Sequence, residues 1–225
     1  MEIFSNQYFE FHYPISLQPI IDKVCKTVNY KNILQFFGLE KFRLVRVNLF
    51  ENKNNFFMFL KSIQNQNEVI PSYCRATFDK GMINILVENL NEENLMKNVC
   101  TIFHELVHII NKEKFYDKRV LWFDEGLAQN LSGEMSGITS KQIKIIVDNL
   151  SDLNQFSLSS LEHGDSFVNE KYNGYEICYL CVRYLIDTMD HKEFLKLLKS
   201  SKSQELVGKE LLSKVIIFYN NQYNL

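Results

Sequence analysis

The sequence predicts an α+β fold, a small mixed sheet lobe followed by a mostly helical lobe. Two observations carry this. Strand-like alternation and a Gly-containing turn fall before residue 90, whereas from Asn91 onward the apolar residues recur at helical spacing. The chain has 225 residues, of which 46% are hydrophobic and 23% charged, enough for one sizeable domain or two small ones. No internal repeat or low-complexity linker divides it. It therefore reads as a single domain over 1–225, with a sheet lobe and long helix over 1–112 and a helical lobe over 113–225.

The elements follow in order. Residues 15–38 read as an amphipathic helix, with Ile20, Ile21, Val24, Val28, Ile33, Leu34 and Phe37 on its apolar face and Gly38 as its stop. Phe42 to Phe50 alternates in the manner of a strand, and a short helix is expected over 54–63. A strand pair is expected around 73–88, turning near Gly81. Glu92 and Glu93 then open a long helix over 92–112, where acidic side chains suit the positive end of the helix dipole. Further helices are expected over 120–131, 140–150 and 172–189, with two shorter ones to the C-terminus. The Ser-rich stretch 151–171 is the longest loop-like segment, a candidate rim or lid.

Within the long helix lies His104-Glu105-Leu106-Val107-His108. Residues four apart on a helix project from one face, so both imidazoles can reach a single metal ion. The Glu105 carboxylate can then accept a proton from an attacking water. The competing reading is a buried helix whose His residues are satisfied by ordinary partners. Against it, two His and a Glu sit on a helix otherwise made of Ile, Phe, Leu and Val, where unpartnered polar groups would cost several kcal/mol. A catalytic zinc site needs a third protein ligand and keeps a fourth position open. Leu121-Trp122-Phe123-Asp124-Glu125-Gly126-Leu127-Ala128-Gln129 supplies a candidate in Glu125, with small Gly126 and Ala128 beside it allowing close helix packing. Trp122 is expected to pack beneath that ligand.

These two segments together resemble the gluzincin zinc metallopeptidases, including the peptidase-MA-like domains and the catalytic domain of aminopeptidase-N-like enzymes. The resemblance implies a thermolysin-like zincin fold with zinc in the cleft between the lobes. It implies His104, His108 and Glu125 as ligands and Glu105 as general base. Tyr175-Glu176 followed by Tyr184-Leu185 is similar to the helix start that carries the oxyanion donor in aminopeptidase-N-like enzymes. That role falls to Tyr175, with Tyr172 and His163 as alternatives. In gluzincins an edge strand beside the active-site helix pairs with substrate, and Gly81-Met82-Ile83-Asn84 occupies a similar place. The Glu that holds a free amino terminus in the aminopeptidases is absent there, so endopeptidase action is expected. The metzincin pattern is excluded, since Ile109-Ile110-Asn111-Lys112-Glu113-Lys114 supplies neither its Gly nor its third His.

A net charge of −2 gives no reason to expect nucleic acid or an anionic membrane as partner. No apolar run is long enough for a membrane span, and the N-terminus lacks a signal pattern, so a cytoplasmic location is expected. The five Cys, at 25, 74, 100, 178 and 181 in apolar surroundings, suit reduced, buried thiols better than a disulfide framework. Cys178-Tyr179-Leu180-Cys181 has a C-x-x-C spelling, but it lies mid-helix without a second Cys pair and reads as core packing.

The function expected is therefore zinc-dependent hydrolysis of a peptide or protein substrate. The alternatives are a zinc-binding, non-catalytic peptide-recognition module of the same fold and a helical core protein with a chance motif. Neither the substrate nor the oligomeric state is encoded in any residue singled out above.

Overall fold

The computed structural model describes residues 1–63, 74–115, 117–152, 156–162 and 167–223. The chain is mixed α+β and forms two compact units, Met1–Ile109 and Ile110–Leu225.

In the first unit, two strands precede the first expected helix: β1, Glu2–Ser5, and β2, Phe9–Tyr13. In β2 Phe9, Phe11 and Tyr13 point inward while Glu10 and His12 stay partly exposed, the period-two alternation of a strand with one buried face. The single helix expected over 15–38 is instead a 3-10 turn at Ile15–Leu17, α1 at Gln18–Lys26 and α2 at Asn29–Phe36. The break comes at Thr27, which turns extended at ψ 154 while its hydroxyl donates to the Val24 carbonyl. Such a side-chain bond competes with helix continuation. Val28, expected on the apolar face, is consequently exposed.

Strand β3 spans Val45–Phe50, and α3, Lys53–Ile63, packs Phe56 and Leu60 against Leu86 with Phe50 alongside. The hairpin β4, Ala76–Asp79, and β5, Met82–Leu86, turns at Lys80 and Gly81, both with positive φ (47° and 71°). Two consecutive left-handed residues match the right-handed twist of the flanking strands, and glycine adopts that conformation without steric penalty. The sheet order is β1-β2-β3-β5-β4, with the two outer pairs antiparallel and the inner ones parallel.

The register fixes which residues share a face. Phe9, Phe11, Val45, Val47, Leu49, Ile83, Ile85 and Phe78 lie together. Helix α4, Glu92–Lys114, lies against this face, with Phe103 edge-on to Phe9 and His108 stacked on Phe78. On the opposite face Asn48 donates to Asn84 across β3 and β5, and both are buried. This corrects one expectation: the segment Gly81–Asn84 is no sheet edge. Residues 82–84 belong to the inner strand β5, and the outer strand beside α4 is β4.

The second unit is helical: α5, Leu121–Ser132; α6, Ser140–Asp152; α7, Gly174–Thr188; α8, His191–Leu198; and α9, Ser201–Tyr223. The last is 23 residues long rather than short. A 3-10 turn at Leu158–Glu162 lies within the stretch expected as loop. Helix α5 packs chiefly on α7, and α6 on α9. No helix among the described residues is long and apolar enough to cross a membrane.

Candidate metal centre

Helix α4 is well specified at both ends. Asn91 and Asn94 cap its start reciprocally, each side-chain oxygen accepting from the other's backbone N–H at 2.9 Å. This is a capping box with Asn in place of the usual Glu. Lys112 and Lys114 in the last turn face the negative end of the dipole. Between the caps, Val99, Ile102, Phe103, Leu106, Val107, Ile109 and Ile110 are buried.

A polar stripe interrupts this apolar helix. His104, His108 and Asn111 follow one another at i, i+4 and i+7, and Glu105 adjoins the first; all four are buried. The His104 and His108 rings lie 4.7 Å apart, nearly perpendicular. Stacking on Phe78 at 5.2 Å limits the orientations open to the His108 ring. Burial first, and then the Glu105 charge, push the Cys74 thiol up.

The third member comes from α5, a helix buried on nearly every side from Trp122 to Gln129. A ligand atom from each of His104, His108 and Glu125 lies within 4.8 Å of the others. Two donors each at roughly 2.0–2.1 Å from one tetrahedral ion lie about 3.3 Å apart, so modest side-chain rotation would close this group around a metal. The donor chemistry fits: two imidazoles and one carboxylate are a set that borderline dications accept, with a coordination position to spare.

Burial of two consecutive carboxylates, Asp124 and Glu125, needs compensating partners. Asn111 Nδ2 donates to Asp124 Oδ1 at 2.7 Å. Arg119 spans both acids, its Nε donating to Asp124 Oδ2 and its Nη2 to Glu125 Oε1, each at 2.6 Å. Neither Arg119 nor Asn111 was expected from the sequence. The available signal was weak: Asn111 continues the stripe one turn beyond His108, and Arg119 stands two residues before the start of α5.

Close packing places Glu125. A Cβ added at Gly126 would fall 2.3 Å from the Cys178 carbonyl oxygen and 2.6 Å from Val182 Cγ2, so the backbone of α5 meets the backbone of α7 at a residue only glycine can fill. Trp122 is buried and packs against Gly208 of α9. All five Cys are free of disulfides; Cys100, Cys178 and Cys181 are buried as expected, whereas Cys25 is exposed and Cys74 only partly buried. Burial pushes the Cys178 and Cys181 thiols well up, and for Cys178 the neighbouring Cys181 and Glu125 add to the rise.

Tyr175 occupies the first turn of α7, which Asn173 caps by accepting from the Tyr175 N–H at 3.1 Å. Its ring is tilted against Phe167 and is 39% exposed. Tyr172 packs on Phe156. His163 lies outside the described residues. The chain matches no protein-family model, and no curated protein matches it.

Proposed function

We propose that this chain is a zinc-dependent peptide hydrolase of the gluzincin type, acting within chains rather than at a free amino terminus. One observation carries the reading: the buried approach of His104, His108 and Glu125, with Glu105 buried beside the first ligand. His104, His108 and Glu125 would hold the zinc. A bound zinc supplies Lewis acidity to a scissile carbonyl and makes water easier to deprotonate.

The remaining chemistry belongs to side chains. Glu105 takes a proton from the attacking water and returns it to the leaving amine, a role typically worth about 10²–10⁴-fold in rate. Tyr175, half-exposed at the start of α7, donates to the oxyanion as charge develops there. The outer strand β4 offers its backbone to a substrate strand, and the Phe78–His108 stack ties that strand to the ligand helix.

The test uses protein purified without chelators or a His tag and reconstituted with zinc. About one zinc per chain and new internal termini in an unfolded protein substrate, detected by mass spectrometry, are expected. Glu105→Gln should keep the zinc and lose about 10²–10⁴-fold in hydrolysis. Undiminished turnover by that variant would remove Glu105 from the mechanism, and absence of stoichiometric metal from the wild type would end the hydrolase reading.

A further inference from the structure

Arg119 makes a two-carboxylate clamp that has no counterpart elsewhere among the described ion pairs. Its guanidinium holds consecutive acids of one helix, Asp124 through Nε and Glu125 through Nη2, at 2.6 Å each. Asp124 is 1% exposed and is held from its other oxygen by Asn111, the residue one turn beyond His108 on α4. The chain Asn111–Asp124–Arg119–Glu125 therefore runs from the helix of the two histidines to the third candidate ligand. Arg119 engages Oε1 of Glu125, so the candidate ligand carboxylate is gripped from the side of the residue that also holds Asp124.

We infer that Arg119 is a positioning residue, which sets the rotamer of Glu125 and thereby the affinity and geometry of the metal centre. The inference rests on the metal-binding reading proposed above. Physically, a planar guanidinium presents fixed N–H directions, so binding two acids at once leaves Glu125 little rotational freedom. A lysine preserves the charge but offers a single flexible donor group, and cannot reproduce the fork. Outer partners of ligating groups typically contribute about 10–100-fold in metal affinity by orienting them.

The experiment measures zinc affinity by chelator competition for wild type, Glu125→Ala, Arg119→Ala and Arg119→Lys. It adds the visible absorption of each cobalt-loaded protein at saturation and the melting temperature of each metal-free protein. Expected is a loss of about 10–100-fold in affinity for Arg119→Ala, with partial recovery in Arg119→Lys, and a cobalt spectrum that changes even at saturation. A role limited to stabilising the fold would lower the metal-free melting temperature and leave affinity and saturated spectrum as in wild type. That result would overturn the inference while leaving the metal centre intact. Should Arg119→Ala fail to fold, Arg119→Lys decides alone: wild-type affinity and spectrum would overturn the inference. A wild type that binds no metal, or binds equally well as Glu125→Ala, would remove the centre itself and the inference with it.

Discussion

Two segments of this chain have the lettering of a metal site, and the structure treats them differently. His104 and His108 on α4 stand one turn apart, and so do Cys178 and Cys181 on α7. The first pair is joined by a carboxylate from another helix and flanked by a polar network of Asn111, Asp124 and Arg119. The second pair is fully buried, and that burial pushes its thiols up. Spacing on one helix thus creates the opportunity for ligation. A third donor and partners for the buried charges decide whether the opportunity is used.

The largest effect should come from testing both pairs for metal directly. Glu125→Ala should reduce bound zinc from about one per chain to none measurable, whereas Cys178→Ser with Cys181→Ser should leave the zinc content unchanged. Metal analysis of dialysed protein checks both arms, and loss of metal in the cysteine variant would erase the distinction drawn between the two helices.

Next in size is Gly126→Ala, which strikes where the two regions meet. The added methyl meets the Cys178 carbonyl, a backbone group that cannot rotate away. Overpacking of this kind typically costs about 1–3 kcal/mol, and separation of α5 from α7 would displace Glu125 as well. Urea unfolding at fixed pH measures the first effect and zinc affinity the second. Wild-type stability would mean that the helices are free to part.

The smallest effect separates the thiols by pH. The folded-state pKa of Cys178 lies well above its ordinary value of 9.0, and that of Cys181 is raised as well. Above about pH 9 the unfolded chain therefore releases these protons before the folded one does. Stability is fully present below that pH and falls above it, by up to about 1.4 kcal/mol per pH unit per thiol. Denaturation midpoints at pH 8 and pH 10 should differ more in wild type than in Cys178→Ala with Cys181→Ala. Equal differences would place the alkaline sensitivity elsewhere, with Tyr30, pushed up to about 12, as one contributor.

Legibility followed the range of the interactions involved. Helix α4 was readable because its period, its acidic start and its basic end are all local. The Lys80–Gly81 hairpin was readable from its turn residues. Strand β2 carried a strict alternation, Phe9-Glu10-Phe11-His12-Tyr13, that a five-residue strand displays only briefly. The break at Thr27 was obscure because neither Gly nor Pro marks it, and a single hydroxyl bond to Val24 tips the balance. At the centre, Glu125 could be picked out as an acid opening a helix. The partners of Asp124 could not, because Asn111 and Arg119 reach it from 13 and 5 residues away around a turn between two helices.

What lay in the sequence alone was the order of strands and long helices from β3 onward, the two histidines on one helical face, the acid beside them and a carboxylate on the next helix. Each follows from backbone geometry repeated over a few residues, which sequence distance measures directly. Tertiary structure alone decided that β4 rather than β5 forms the sheet's outer strand, that Gly126 sits against the Cys178 carbonyl, and that Arg119 clamps two acids. Those outcomes depend on which surfaces meet when apolar faces are buried together, and contacts between distant segments leave no periodic trace in the chain that makes them.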